Sequence, residues 1–430
     1  MTVAYDPIAD RPAASSPQPT LHSRAFDRIF VAGGAWLVPV PIVAFYLLRS
    51  CGLSVAAAED IVTLLIMVPL GGPHVFATYT RTFLNPSFKR EDRGLFLLAF
   101  AVAAIVPGAT IASAFFDVLL FGSPPIRYVL TFFFFWAGVH IVQQNSFIAG
   151  CLSAKAGPAR EPRWFGAIDY AVMLLALYPV SLFRMSMVDL GDPTMQTADR
   201  GALATRIVAE LSGSAAFADD YVFRIGRVAP ILPEFMRAPW LWISVSAAFA
   251  VSAVLFACKS VCQRRNGTLI RGRFQLVLWS SLLGFLVPLF PNLDSSFQGM
   301  NAWHSFQYLG VLWLMNQRSR QRGEIKNPLF DAICAPDKPR RFYVAGLLAT
   351  LLLLLVVLLC GCAIEFASGG EFALFGHATP LVDAATGREL YRPGAVLLAY
   401  YMIAFSVLLT HYLHDGAFFF RRRYLVDAAR

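Results

Sequence analysis

The chain has 430 residues, of which 57% are hydrophobic and 15% are charged, and its net charge is +9. This apolar fraction is too high for a soluble globular domain of that length, so the composition excludes ordinary soluble proteins and indicates the bilayer as solvent. The positive charge does not indicate nucleic acid, because Arg and Lys concentrate in alternate loops between apolar segments.

The chain begins with a polar segment, residues 1–25, which is rich in Pro, Ala and Ser and has no apolar core. We predict a disordered cytoplasmic tail there, not a cleavable signal peptide. Ten apolar runs follow, each long enough to cross a bilayer as a helix. They are 30–48, 61–84, 95–115, 128–151, 166–186, 239–258, 274–291, 297–316, 343–364 and 394–418. The sequence therefore predicts an all-α, polytopic integral membrane bundle of about ten transmembrane helices, in a single transmembrane domain over 26–424.

Basic residues mark alternate loops and so predict the orientation. They lie at Arg24 to Arg28, Lys89 to Arg93, Lys155 to Arg163, Lys259 to Arg273, Arg318 to Arg341 and Arg421 to Arg423. Cytoplasmic loops carry such an excess, so we expect both termini, including the tail 425–430, in the cytoplasm of a bacterium. The longest exterior loop is predicted over 188–237. The protein is then a multi-pass component of the bacterial inner membrane.

Histidines inside the predicted spans are the first sign of chemistry, because an ionisable group in the membrane is costly to insert. Five of the seven histidines lie there, in the second, fourth, eighth and tenth spans: His74, His140, His304, His411 and His414. His22 and His377 fall in the tail and an exterior loop, where solvated roles are expected.

Polar residues three or four positions from these histidines share their helix faces. One face holds His140, Gln143 and Gln144; a second holds Asn301, His304, Gln307 and Tyr308; a third holds His411, His414 and Asp415. The fourth segment reads Gly71-Gly72-Pro73-His74, where proline weakens the helix backbone and glycine permits close approach.

These faces predict a metal or cofactor site in the core of the bundle. The predicted metal ligands are His74, His140, His304, His411 and His414, with Asp415 and Tyr308 as catalytic groups and with Gln144, Asn301 and Gln307 orienting the ligands. Imidazole suits iron, zinc, copper and nickel, and no Met or Cys lies at helical spacing from these histidines, which disfavours copper(I). One or two iron ions are our first expectation and zinc the second; pairs of histidines could also ligate haem. Asp169, near the cytoplasmic end of the fifth span, is expected to cap that helix.

The order of these motifs resembles the bacterial Brp/Blh-type carotene dioxygenases. The resemblance lies in a Pro-His pair in an early span, a polar-flanked histidine, an aromatic-rich histidine helix, and a final histidine followed four residues later by Asp. Here these are His74, His140, His304, His411 and Asp415. The resemblance implies an iron-dependent membrane oxygenase or related oxidoreductase that acts on a lipid-soluble molecule.

The first functional hypothesis is therefore a membrane oxidoreductase with a lipid-soluble substrate, in contact with membrane lipids and with an electron donor as a further partner. A haem-binding electron-transfer protein is the second hypothesis. A transporter is the third and ranks lower, because an inverted repeat of five plus five spans would not relate the four spans that carry the polar residues.

Overall fold

The computed structural model describes residues 18–84, 93–157, 162, 164–186, 233–290, 292–325, 327–375, 381–382, 389–390 and 393–419. Ten long helices lie in these ranges, and each overlaps one predicted span. They are α1 (Arg24–Ser50), α2 (Val55–Arg81), α3 (Arg93–Ala114), α4 (Pro125–Ala156), α5 (Trp164–Ser186), α6 (Pro239–Arg265), α7 (Arg271–Leu289), α8 (Leu293–Gln321), α9 (Pro339–Ala367) and α10 (Ala395–Gly416, helical to Phe419). The prediction of an all-α polytopic bundle is confirmed.

Shorter elements connect these helices. Two short helices, Glu234–Arg237 and Pro328–Ile333, precede α6 and α9. Two-residue strands, β1 (Leu381–Val382) and β2 (Glu389–Leu390), pair antiparallel between α9 and α10. Residues 1–17 and 425–430 of the predicted tails and residues 188–232 of the predicted exterior loop lie outside the described residues.

Nine of the ten helices, counted over the described residues, are long and apolar enough to cross a membrane; the tenth is α8. Its 29 residues span about 44 Å, more than the hydrocarbon thickness of a bilayer. What sets it apart is polarity, since it carries Gln298, Asn301, His304 and Gln307. The helix that is least apolar is the one that brings most polar residues into the bundle.

Local sequence sets where the helices start and bend. Side chains of Ser54 and Asn292 accept hydrogen bonds from backbone N–H groups in the first turns of α2 and α8 (3.2 and 2.8 Å). Within α2, a π-helical segment, Met67–Gly71, joins Val55–Ile66 to Gly72–Arg81. Pro69 and Pro73 lack the N–H groups that a regular α-helix needs there, which accounts for the change of winding.

Another π-helical segment, Tyr401–Phe405, lies within α10 between Ala395–Tyr400 and Ser406–Phe419. It precedes His411, as the segment in α2 precedes His74. A π segment adds a residue to one turn and so rotates the helix that follows. In both helices the rotation is introduced shortly before a histidine.

Helix α8 lies at the centre of the bundle and contacts α1, α2 and α4, while α10 packs on α2, α3, α4 and α9. The approach of α8 to α1 is very close at Gly299, where a Cβ atom would lie 2.2 Å from the Val38 carbonyl oxygen. Helix α5 contacts α6 and α7, and both α5 and α7 contact α4. Phenylalanine pairs join α6 and α7. The arrangement leaves α2, α4, α8 and α10 around one shared interior.

Candidate metal centre

Four histidines from four helices converge in that interior. His74 of α2, His140 of α4, His304 of α8 and His411 of α10 each offer a nitrogen atom, and these atoms lie within 4.8 Å of one another. All four side chains are buried. Neighbouring ring centroids are 4.4 to 5.3 Å apart, in the order His74, His304, His140, His411 and back to His74. Residues up to 337 positions apart in sequence thus share one small volume.

Several polar atoms of these four histidines and of Asp415 have no hydrogen-bond partner within the described part of the chain. They are Nε2 of His74 and of His411, both ring nitrogens of His140 and of His304, and Oδ2 of Asp415. Buried polar atoms in folded proteins are nearly always paired. A convergent group of orphaned nitrogens beside a carboxylate oxygen is the arrangement that a metal ion would satisfy.

The spacing of the donors fits a metal ion. With metal–nitrogen distances of about 2.0–2.1 Å, two ligands on opposite sides of an ion lie about 4.2 Å apart. The largest separation here, 4.8 Å, requires side-chain movements of only a few tenths of an ångström. Imidazole nitrogen with one carboxylate oxygen is a donor set for iron, zinc, copper or nickel.

Hydroxyl groups fix the orientation of two of the histidines. Nδ1 of His74 lies 3.1 Å from the Ser305 hydroxyl oxygen, and Nδ1 of His411 lies 2.6 Å from that of Thr78. With Nδ1 protonated, each ring donates to the hydroxyl and turns an unprotonated Nε2 toward the centre. Hydrogen bonds of this kind, from the ring nitrogen that faces away from the metal, commonly fix the tautomer of metal-binding histidines.

Asp415 is the carboxylate of the site. Its Oδ1 accepts hydrogen bonds from the hydroxyls of Thr78 (2.9 Å) and Tyr308 (2.5 Å), which lie 2.6 Å from each other. Its Oδ2 lies 3.5 Å from Nε2 of His411 and 3.7 Å from Nε2 of His140. One oxygen is thus held in place while the other faces the histidines.

An alternative role for Asp415 is a salt bridge with Arg81, since both residues are buried near the same end of the bundle. The described residues show no such ion pair; the contacts of Asp415 are those given above, and the Arg81 guanidinium donates to the Ser319 hydroxyl. Asp415 therefore belongs to the histidine cluster.

The three predicted amides lie around the centre and bond to protein groups. Gln144 Nε2 donates to Gln307 Oε1 (2.7 Å) and to the His304 carbonyl oxygen (3.2 Å), and Gln307 Nε2 donates to the Val31 carbonyl oxygen (3.3 Å). Asn301 Oδ1 accepts from the Ser305 hydroxyl at 3.4 Å. The first two connect α4, α8 and α1, and the third supports the serine that contacts His74.

His414, the fifth predicted ligand, is not in the group of four. It is buried on α10, and its ring lies beside those of Tyr79 (6.2 Å between centroids) and Phe83 (5.7 Å). It lies three positions after His411, and of the two only His411 is directed to the centre by the rotation of α10.

Three residues besides the predicted ligands, catalytic groups and orienting amides take part in the site, and of these only Thr78 was indicated by the sequence. Thr78 and Ser305 orient histidines, and the Tyr412 ring lies against His140, with centroids 4.3 Å apart and planes at 31°. Thr78 lies four residues after His74, a spacing that places it on the same helix face. Ser305 and Tyr412 each directly follow a histidine, and that spacing carries no signal.

A cavity of about 210 Å³ adjoins the centre, with His74 among its lining residues. Its walls are mainly aromatic and aliphatic, including Phe133, Phe405 and Tyr412. The lining also contains three carboxylates: Glu59, Asp60 and Asp294. A cavity of about 150 Å³ is enough to hold benzene. The space beside the histidines thus accommodates a group the size of one substituted ring.

The predicted helix cap at Asp169 is wrong. Asp169 is the sixth residue of Trp164–Ala176 and is buried, where its carboxylate accepts hydrogen bonds from Lys259 and from Arg273 Nε (2.6 Å). Two cations from α6 and α7 neutralise it. This cluster lies outside the group of four histidines.

The histidine centre has no counterpart in the comparisons with known proteins, since no family model, no curated protein and no solved structure matches this chain.

Proposed function

We propose that this chain is a membrane oxidoreductase, of the oxygenase kind, that holds iron in its four-histidine centre and acts on an apolar substrate. The observation that carries the proposal is the convergence of four buried imidazoles, with nitrogens within 4.8 Å, beside the free oxygen of Asp415. His74, His140, His304 and His411 would hold the ion. Iron would supply one-electron redox chemistry and an open coordination position in a dry cavity.

The donor atoms support a redox-active iron ion over a structural zinc ion. No cysteine joins the group among the described residues, so the thiolates that mark most structural zinc sites are absent from it. A non-redox zinc ion remains the second choice for the same donor set, with the same residues as ligands.

Haem is a weaker alternative for a geometric reason. Four imidazole rings with neighbouring centroids 4.4 to 5.3 Å apart occupy the space that a porphyrin plane would need between two axial ligands. A single ion requires no such slot.

The surrounding residues are suited to holding and moving a proton beside the centre. Tyr308 and Thr78 both donate to Asp415 Oδ1, and Thr78 also contacts His411 Nδ1. A proton can therefore be shared along a continuous chain from the imidazole to the tyrosine hydroxyl. The substrate would enter through the cavity that His74 lines, so that the reacting part is one ring or a segment of similar size. Electrons would come from a separate donor.

The proposal is tested by metal analysis of detergent-purified full-length protein together with optical and electron paramagnetic resonance spectra, before and after chemical reduction. We expect iron in the wild type, with a signal that changes reversibly between the oxidised and reduced states. His304→Gln should lose the metal, whereas His414→Gln, which alters a buried histidine of the same bundle outside the cluster, should retain it.

Four outcomes would contradict the proposal. They are a wild type without metal after expression in iron-supplemented medium, equal metal in the two variants, a haem spectrum, and zinc in place of iron. The last would preserve the site but overturn the redox function.

A further inference from the structure

A second candidate site lies between α6 and α7, outside the interior that holds the histidines. A groove of about 520 Å³ is lined there almost entirely by apolar side chains. Two stacked phenylalanine pairs join the helices along it: Phe249 with Phe285 (centroids 5.4 Å apart) and Phe256 with Phe274 (5.7 Å). Exposed lining residues such as Leu278 leave the groove open to the surrounding hydrocarbon.

One end of the groove is strongly basic. Arg264, which lines it, is exposed at the end of α6, next to Arg265 and close in sequence to Arg271 at the start of α7. Within the described residues no carboxylate pairs with any of these three guanidinium groups. The positive-inside pattern places this end at the cytoplasmic surface.

Two buried cations adjoin the same end. Lys259 and Arg273 both contact the Asp169 carboxylate there. A small cavity beside this cluster shares Phe256 and Phe274 with the groove. The arginines Arg264, Arg265 and Arg271 at this end therefore favour an anion over a neutral or zwitterionic group.

The length of the groove matches one leaflet of a bilayer. Phe249 and Arg264, at its two ends on α6, are 15 residues apart, which is about 22 Å along a helix. A bilayer with its headgroups is about 40–45 Å thick, so one leaflet occupies about 20–22 Å. A lipid with its phosphate at Arg264 would extend its acyl chain along the phenylalanines to the middle of the membrane.

We propose that the groove between α6 and α7 is a binding site for an anionic phospholipid of the cytoplasmic leaflet. One acyl chain lies between the stacked phenylalanine pairs, and the phosphate contacts Arg264. Positive-inside topology alone explains the number of basic residues in this loop, but it does not explain an apolar groove of leaflet length that ends at one of them.

Native mass spectrometry of the purified full chain, titrated with phosphatidylglycerol or with phosphatidylcholine, tests the site. We expect the wild type to bind phosphatidylglycerol more tightly. Arg264→Gln should weaken phosphatidylglycerol binding by about fivefold, the effect of one basic residue at a membrane surface. Ala257→Trp, which fills the groove, should weaken binding of both lipids.

Matched controls separate a defined site from general lipid contact. Arg341→Gln removes an exposed arginine at the start of α9, and Leu352→Trp adds a ring on the exposed face of α9; neither should change lipid binding. Equal binding of both lipids to the wild type, or an equal effect of Arg341→Gln and Arg264→Gln, would overturn the proposal. These outcomes do not depend on the histidine centre, whose metal content is measured separately.

Discussion

Replacing Asp415 with Asn is the most direct probe of how the carboxylate serves the histidine centre. The amide oxygen of Asn can still accept the hydrogen bonds that Thr78 and Tyr308 donate to Oδ1. The amide nitrogen then takes the place of Oδ2, 3.5 and 3.7 Å from Nε2 of His411 and His140. A neutral N–H donor there can neither bind a cation nor offset its charge.

The expected loss follows from that geometry. Substitution of groups that support metal ligands usually costs 10–100-fold in affinity, which corresponds to about 1.4–2.7 kcal/mol. We expect Asp415→Asn to lower metal affinity in that range while the protein stays folded, since its side chain keeps its volume and two hydrogen bonds.

The assay is competition with a chelator of known affinity, on protein whose folding is confirmed by size-exclusion chromatography. Asp331→Asn is the control, because this carboxylate pairs with Arg320 at the surface and is 42% exposed. It should leave metal affinity unchanged. If Asp415→Asn binds metal as tightly as the wild type, Asp415 is only a hydrogen-bond acceptor for Thr78 and Tyr308, and the assignment of Oδ2 to the metal site is wrong.

Two further predictions concern topology and packing. A cytoplasmic reporter fused after Arg430 should be active and a periplasmic one silent, because basic residues occupy alternate loops; the opposite result would mean an odd number of spans. Gly299→Ala should lower the thermal stability of the purified protein by the equivalent of about 1–3 kcal/mol, because its Cβ would lie 2.2 Å from the Val38 carbonyl oxygen. Gly108→Ala, in α3 with no atom within 4 Å of the added Cβ, should not lower it, and equal melting of the two variants would contradict the close approach of α8 to α1.

The sequence predicts the helices and most of the centre because both depend on local periodicity. An apolar run of about 20 residues has few alternatives to a membrane helix. Polar residues at intervals of three or four, as in His304 and Gln307, fix which residues share a face. Burial of ionisable groups then limits that face to the interior of the bundle.

The spacing of polar residues along the sequence does not determine how a helix is rotated about its axis. His411 and His414 differ by about 60° around α10, and both satisfy the same periodicity. The π-helical turn at Tyr401–Phe405 and the packing of α10 on α2 decide which of them faces His74. Neither feature can be predicted from the intervals between polar residues.

Pairing between distant segments is the other unpredictable part. The position of Asp169 near a helix start indicated a cap. Its carboxylate instead binds Lys259 and Arg273, which lie 90 and 104 residues away in the sequence. Ser305 contacts His74 across 231 residues. Such contacts follow from the packing order of the helices, and one sequence does not specify that order.

The polarity of α8 distinguishes a ligand site from polar contacts that merely hold helices together. Intramembrane polar groups usually stabilise a bundle by bonding across helices. On α8, Gln307 donates to Val31 on α1, Ser305 contacts His74 on α2, and Asn316 donates to Thr80 on α2 at 3.1 Å. His304 lies among them with both ring nitrogens unpaired within the described residues. A histidine that only joined helices would form hydrogen bonds across them, as its neighbours on α8 do. The unpaired nitrogens of His304 converge with three other imidazoles, which indicates that this position serves a bound ion.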